Sequence, residues 1–260
     1  MKTRNEALSK AQDLIWTAFD LESSKERLAL AKTALEICPD CADAYYIIAK
    51  EERGLTSEGK IELLEEGVKA GRRALGPSYF KENVGIFWGI LETRPYMRAV
   101  FGLAMELESA NRVEEAIAHY QELLRLNPND NQGVRYCLVP LLVELNMLKE
   151  AQRILKSYTD DIGPAIAYSH ALFLFKTEGD TQKARERLAE AIRWNSHVVR
   201  FLLTPKLNRT LRIGHYITVG GDEEALVYAR QWRGSWHKSD GAIDWLVENL
   251  VSGYQESRGI

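Results

Sequence analysis

The sequence contains few cysteines, no long apolar run and no strong excess of charge. Three cysteines in 260 residues are too few, and odd in number, for a disulfide framework, which fits a reducing compartment. The longest apolar run, CLVPLLV at 137–143, is much shorter than the ~20 residues that cross a bilayer. With a net charge of −3, the composition requires neither a nucleic-acid partner nor an anionic membrane.

Glycine and proline are also sparse, and they lie mainly between segments that carry Ala, Leu, Glu, Lys and Arg at helical spacing. Alternating runs of Val, Ile and Thr long enough for a sheet are absent. The first residues, MKTRNEALSKAQDL, lack the apolar stretch of a secretory signal. We therefore expect an all-α, cytoplasmic protein with no membrane partner, and nucleic acid is not the expected partner either.

Four alanines share a local pattern and indicate an internal repeat. They are separated by 35, 33 and 41 residues: Ala116, Ala151, Ala184 and Ala225. Five residues before each alanine stands an asparagine or a glycine: Asn111, Asn146, Gly179 and Gly220. Asparagine and glycine tolerate the left-handed conformation that ends a helix, and the alanine methyl group lets two helices approach closely. Each unit is therefore predicted to be a helix, a tight turn and a second helix.

A period near 34 residues with this pattern resembles the tetratricopeptide repeat (TPR), whose signature is W-x2-L-G-x2-Y, then A-x3-F, then proline. The best unit lies at 95–130 and has these residues at matching positions: Leu103, Ala104, Ala116, Tyr120 and Pro128. The resemblance implies a right-handed α-solenoid of antiparallel helix pairs.

The predicted organisation is a single TPR-like solenoid domain over 1–260. Its parts are capping helices at 1–39, a repeat at 42–71, an insertion at 72–94, repeats at 95–130, 131–164 and 165–195, and a degenerate repeat with a C-terminal cap at 205–260. The insertion is inferred because one period before Ala116 lies Glu82, in a stretch that does not fit the pattern.

Three further stretches, RPYMRA, CPDCADAY and LNPNDNQGVRYCLVPLL, resemble the suppressor-of-tumorigenicity-7 proteins across residues 25–200. This resemblance implies an interaction scaffold and supplies no catalytic residue to carry over. We expect a protein that is not an enzyme, holds no cofactor or metal, and binds a peptide or helix of a partner protein. The identity of that partner and the oligomeric state stay open, a homo-oligomer included.

The motif CPDC at 38–41 has the spacing of a redox or metal-binding pair. A zinc site needs four ligands, and none of the histidines is paired at ligand spacing. A thioredoxin-like site needs a βαβ context, which a helical chain lacks. Pro39 and Pro128 are 89 residues apart, which corresponds to two repeats plus the insertion and aligns CPDC with NPND at 127–130. We interpret CPDC as a turn between repeats, with redox or metal chemistry as the alternative.

Two other clusters admit more than one interpretation. A basic cluster at 200–215 consists of Arg200, Lys206, Arg209, Arg212 and His215. It is either a solvated helix face, which we favour, or a contact for nucleic acid or an anionic partner. An aromatic string contains Trp232, Trp236 and Trp245. It is typical of a binding pocket or, as we expect here, of side chains that cover the end of a helical stack. An enzyme that uses the insertion as a lid is a third functional alternative.

In a TPR-like solenoid, the first helix of each unit lines the concave face, and the resemblance places the partner there. The side chains that packing leaves free on these helices are the predicted partner-binding residues: Tyr46, Lys50, Arg53, Arg98, Phe101, Met105, Arg135 and Phe173. Their mixture of cationic and apolar groups favours an acidic, partly hydrophobic segment. The Lys and Asn pattern with which chaperone-binding TPR modules hold a terminal carboxylate is not present at these positions.

Overall fold

The computed structural model of the protein describes residues 2–204 and 217–256, and these residues form helices and no strand. The α-helices in chain order are α1 Lys2–Asp20, α2 Ser24–Ile37, α3 Ala42–Glu51, α4 Ser57–Leu75, α5 Tyr79–Glu82, α6 Arg94–Ser109, α7 Val113–Leu126, α8 Arg135–Glu144, α9 Leu148–Ser157, α10 Pro164–Glu178, α11 Gln182–Trp194, α12 His197–Leu203, α13 Asp222–Lys238 and α14 Ala242–Glu256. None of the helices in these two ranges is long and apolar enough to cross a membrane.

The chain divides into two compact units, Met1–Val134 and Arg135–Ile260. In the N-terminal unit, consecutive helices pack as the pairs α1/α2, α3/α4 and α6/α7, and α3 also contacts α6. In the C-terminal unit the packed pairs are α8/α9, α10/α11 and α12/α13, and α10 also contacts α8 and α13. The all-α class is thus confirmed, while the single domain, its capping regions and the solenoid stay predictions.

The tight turns expected before the four alanines adopt left-handed backbone conformations. The φ angles are 62° at Asn111, 59° at Asn146, 73° at Gly179 and 75° at Gly220. Only glycine, and to a lesser extent asparagine, adopts this conformation at small cost. The prediction that these residues end a helix is confirmed for Asn111, Asn146 and Gly179, each of which follows a helix within two residues, whereas Gly220 lies just before α13.

Small residues occupy the places where helices approach most closely. Ala116, Ala151, Ala184 and Ala225 are all fully buried. Between α4 and α6, a Cβ atom added to Gly71 would lie 2.9 Å from Tyr96 Cβ, a distance that real Cβ atoms do not reach. The side chains at these positions are therefore limited in size by the neighbouring helix, as the repeat pattern predicts.

The predicted insertion is folded onto the N-terminal unit. It contains α5 and two 3₁₀ turns, Phe87–Gly89 and Leu91–Thr93. Phe87 is fully buried, and the Gly85 N–H donates to the carbonyl oxygen of Leu126 at 3.0 Å. The Arg72 guanidinium lies 5.0 Å from the centre of the Phe80 ring. Burial of aromatic surface and a cation–π contact thus hold this segment in place.

The tryptophans of the aromatic string lie in the core of the C-terminal unit. Trp232, Trp236 and Trp245 are all buried. Trp245 stacks on Phe175 with ring centres 4.6 Å apart, and its indole N–H donates to Asp180 Oδ1 at 2.7 Å. These side chains pack within the unit and present no aromatic surface for a ligand.

Candidate docking face

Three helices of the N-terminal unit bring polar and apolar side chains together on one face. The residues are three or four positions apart on two of the helices and seven apart on the third, so each helix contributes one stripe. We call this surface the three-helix face and define it by Gln12, Trp16 and Phe19 of α1, Asp43, Tyr46 and Lys50 of α3, and Arg98 and Met105 of α6.

A buried ion pair lies at the centre of the three-helix face. Arg98 Nε donates to Asp43 Oδ1 at 2.7 Å, and Arg98 Nη2 donates to Asp43 Oδ2 at 2.6 Å. Gln12 Nε2 donates to the same Oδ2 atom at 3.0 Å. The Asp43 side chain is fully buried, so the paired hydrogen bonds offset the loss of its hydration. This cluster joins α1, α3 and α6.

Apolar side chains on the same helix faces as the ion pair remain accessible. Trp16 is 54% exposed, Phe19 41% and Met105 47%. The Phe19 ring centre lies 5.2 Å from the Arg98 guanidinium carbon, which places α1 against α6. Single exposed apolar residues are common on protein surfaces, but several on one face are typical of an interaction site.

Tyr46 connects this apolar surface to Lys50 at the C-terminal end of α3. A Cβ atom at Gly102 would lie only 3.0 Å from Tyr46 Cδ2, so the tyrosine ring rests directly on the backbone of α6. Lys50 Nζ lies 5.9 Å from the centre of the Tyr46 ring. Lys50 and Arg53 are exposed, and neither has an ion-pair partner among the residues that the structure describes. The charges of Asp43 and Arg98 cancel, so Lys50, together with Arg53 just beyond the end of α3, sets the sign of the charge on this face.

The remaining predicted partner-binding residues have different environments. Phe101 is half-buried, with its ring centre 6.0 Å from that of Tyr120. Arg135 belongs to the C-terminal unit, where its Nε donates to Asp161 Oδ2 at 2.6 Å and its guanidinium lies 4.2 Å from the Tyr136 ring centre. Phe173 is buried in the core of that unit, which differs from the predicted groove position. Of the three predicted arginines, Arg98 and Arg135 are thus paired with carboxylates, and Arg53 has no ion-pair partner among the described residues.

Sequence reasoning missed the contribution of α1. Residues 1–39 were expected to be capping helices, so Gln12, Trp16 and Phe19 were not considered as binding residues. Their spacing of four and three residues, with two aromatic side chains away from the apolar stripe at Ala11, Ile15 and Ala18, was the available signal. The contact of Phe19 with Arg98 shows that α1 belongs to the same surface as α6.

The CPDC motif forms a turn beside this face. The Cys41 N–H donates to the Cys38 carbonyl at 3.2 Å, and the Asp130 N–H donates to the Asn127 carbonyl at 2.9 Å. The prediction that CPDC forms a turn is confirmed, and a hydrogen bond between the corresponding positions closes the turn at NPND; the register of the repeats that aligns the two motifs stays a prediction. Burial, followed by the charge of Asp43, raises the pKa of the Cys41 thiol to about 12, which disfavours the reactive thiolate.

The basic cluster at 200–215 falls mostly outside the described residues, since Lys206, Arg209, Arg212 and His215 lie there. Arg200 is described and exposed, and its Nη2 lies 2.7 Å from Asp222 Oδ1. Its charge is therefore partly balanced within the chain.

Comparison with known proteins identifies the family. A family model described as "ST7 protein" matches residues 3–254. The chain belongs to the ST7 family. This ST7-family chain is 24% identical over 264 residues to "Protein ST7 homolog" of Drosophila melanogaster, covering 93% of the chain and 49% of the relative. It is 26% identical over 276 residues to "Protein ST7 homolog" of Caenorhabditis elegans, covering 90% and 49%.

A mammalian relative gives the same result. The ST7-family chain is 25% identical over 234 residues to "Suppressor of tumorigenicity 7 protein" of Macaca fascicularis, with 82% of the chain and 43% of the relative covered. The chain therefore spans about half the length of the curated relatives it matches. No solved structure matches it.

Proposed function

We propose that this chain is a non-catalytic protein–protein interaction scaffold, a TPR-like right-handed solenoid that binds a peptide or helix of a partner on the three-helix face. The observation that supports the proposal is the exposure of Trp16, Phe19 and Met105 around a fixed ionic centre. The succession of packed helix pairs with alanine at the close contacts supports the TPR-like part of it.

The apolar side chains supply the affinity in this proposal. Tryptophan is among the residues whose truncation most weakens protein–protein complexes, often by about 2 kcal/mol or more. The bonds between Asp43, Arg98 and Gln12 tie the three helices together before any partner arrives. Because the surface is already ordered, little additional conformational entropy is lost on binding.

The exposed cations define the polar part of the partner. Lys50 lies in the last turn of α3 and Arg53 just beyond it. A carboxylate placed beside these two residues would gain favourable electrostatic energy, which increases the association rate and the specificity more than the affinity. The expected partner is thus an apolar helix or extended peptide that carries Asp or Glu at one end of its contact.

A random peptide library displayed on phage tests the proposal without knowledge of the natural partner. Selected peptides should carry apolar residues one helical turn apart together with Asp or Glu. We expect Trp16→Ala to weaken their binding about thirtyfold, which corresponds to the ~2 kcal/mol of an interface anchor. The double variant Lys50→Glu, Arg53→Glu should also weaken peptide binding, and the loss of affinity should be larger at low salt than at high salt.

The matched control is Ile37→Ala, which shortens another exposed apolar side chain of the same unit, on α2. This variant should bind the selected peptides as the parent does. The proposal is wrong if the peptides bind Trp16→Ala and the parent equally well.

A further inference from the structure

The C-terminal unit contains a cavity that the three-helix face does not involve. Its volume is about 380 Å³, and it lies between the segment 159–162 and the second half of α11. Ala167 and Ala191, both buried, are among its lining residues, together with Ile162 and Trp194. The two small side chains leave room between two large apolar ones, so the cavity accommodates one side chain of an incoming molecule.

The apolar lining of this cavity is accessible from solvent. Trp194 is 53% exposed and Ile162 36% exposed. An exposed indole at a cavity provides both apolar surface and a π-face that attracts cations. A ligand with an apolar stem and a cationic end would gain binding free energy from both the apolar contact and the cation–π attraction.

Among the described residues, the charges around the cavity leave one carboxylate without a partner. Glu190 forms an ion pair with Arg187 at 2.9 Å, so the cation of Arg187 is balanced. Asp161 accepts from Arg135 Nε at 2.6 Å and from the Gly163 N–H at 2.9 Å. Asp160 is exposed and makes neither a hydrogen bond nor an ion pair with the described residues of the unit.

The bonds of Asp161 also fix the segment that carries Asp160. Besides Arg135 and Gly163, the Tyr136 hydroxyl donates to Asp161 Oδ2 at 2.9 Å. The neighbouring residues Asp160 and Ile162 therefore have an ordered backbone on one side of the cavity. A preformed wall of this kind lowers the entropic cost of binding a small group.

We propose that this cavity binds an arginine side chain of a partner protein. The methylene stem would pack between Ile162 and Trp194, and the guanidinium would lie over the indole and pair with Asp160. Arginine fits better than lysine because its planar group stacks on an aromatic ring and donates two parallel hydrogen bonds to a carboxylate. The site is independent of the three-helix face and of the function proposed for it.

The test uses the full chain and the indole N–H signal of Trp194 in an NMR spectrum, assigned by its loss in Trp194→Phe. Titration with Nα-acetyl-arginine amide should shift this signal in a saturable manner. The citrulline analogue has nearly the same shape without the charge, and its dissociation constant should be about fivefold higher. Asp160→Asn should raise the dissociation constant for the arginine compound about threefold.

Trp88→Phe serves as the control, since it removes an indole from the other unit at a position outside the three-helix face. It should leave the titration at Trp194 unchanged. The proposal is overturned if the shift does not saturate, if citrulline binds as tightly as arginine, or if Asp160→Asn has no effect. Peptide binding to the three-helix face is measured separately, so failure of one proposal is distinguishable from failure of the other.

Discussion

Among single residues, Arg98 and Asp43 show how a polar contact sets the chemistry of a surface. Arg98 Nε and Nη2 each donate a hydrogen bond to one oxygen of the fully buried Asp43 carboxylate. A buried ion pair adds little stability relative to apolar residues of the same shape, but removal of one partner leaves an uncompensated charge. The energetic role of Arg98 is therefore to neutralise Asp43.

We predict that Arg98→Met lowers the free energy of unfolding by about 3–5 kcal/mol, because Asp43 is then left charged and buried. Urea denaturation followed by circular dichroism measures the loss. The double variant Arg98→Met with Asp43→Leu should recover most of it, since both charges are gone. Lys69→Met is the control, because Lys69 pairs with Glu66 at 2.7 Å in an exposed position where screening by water is strong.

An Arg98→Met variant no less stable than Lys69→Met would show that the ion pair does not hold the helices together. The same reasoning affects tests of binding. A charge reversal at Arg98 would place a second carboxylate beside Asp43 and disturb the fold, so Lys50 and Arg53 are the appropriate positions for charge changes on this face.

The position of Arg98 on its helix was predictable from the sequence, whereas its partner was not. The repeat pattern specifies which residues of one helix share a face. It does not specify which side chain of another helix lies opposite, and Asp43 is 55 residues away along the chain. The partner of Arg135 could not be predicted either, because Asp161 lies 26 residues later in a loop whose path the repeat pattern does not specify. Phe173 is buried because further helices cover α10, which the local pattern did not reveal.

At the scale of helices, the turns and the close contacts were the most predictable features. Asn111, Asn146, Gly179 and Gly220 could be identified because left-handed backbone strongly restricts residue type. The turn after α11 was not identified. Asn195 ends that helix and accepts a hydrogen bond from the Val198 N–H at 3.4 Å, much as Cys38 and Asn127 do in their turns, but without a proline.

The structure of the insertion could not be predicted from the repeat pattern either, but for a different reason. Its fold depends on single contacts, such as Arg72 between the rings of Phe80 and Tyr96 at 5.0 and 5.3 Å, which no periodic pattern encodes. Its location could be inferred only because the flanking repeats lost their register across it.

We predict that Ala116→Glu destabilises the α6/α7 pair strongly. The alanine is fully buried, so a larger side chain overpacks the site at a cost of about 1–3 kcal/mol, and an unpaired carboxylate there adds the cost of lost hydration. Thermal unfolding followed by circular dichroism should show a transition several degrees lower. Ala118→Glu introduces the same side chain two residues later at an exposed position of α7 and should leave the transition unchanged. Equal transitions for the two variants would mean that the assigned register of α7 is wrong.

For the whole molecule, the two proposed sites have opposite electrostatic preferences. The N-terminal unit offers apolar side chains with Lys50 and Arg53, which form no ion pair with the described residues and suit an acidic segment. The C-terminal unit offers an indole with Asp160, whose carboxylate is likewise unpaired within the described part of the chain and suits a basic side chain. With a net charge of only −3, neither preference follows from the overall charge. Under the two proposals, partner choice is a property of local surfaces, and one chain would select two chemically different segments.

The distribution of thiols gives a prediction about the chemistry of the molecule as a whole. Cys38 and Cys41 are buried in the N-terminal unit, Cys137 is half-buried in the C-terminal unit, and no disulfide joins them. A protein that used CPDC for redox chemistry would need an accessible thiolate. The pKa of Cys41, raised to about 12 by burial, keeps this thiol protonated at neutral and mildly alkaline pH.

Iodoacetamide at pH 8 should therefore leave Cys38 and Cys41 unmodified in native buffer and alkylate both in urea, as peptide mass spectrometry would show. Ile37→Cys provides the matched control: it places a thiol one residue before Cys38 at a position that is 40% exposed, and this thiol should react promptly in native buffer. Native labelling of Cys41 at the rate of the introduced thiol would contradict the structural role of the turn. So would an intact mass lower by two hydrogens without reductant, because it would show that Cys38 and Cys41 form a disulfide in the folded protein. Protection of both thiols would instead support the role of CPDC as a bend between helices, comparable to the turn at NPND.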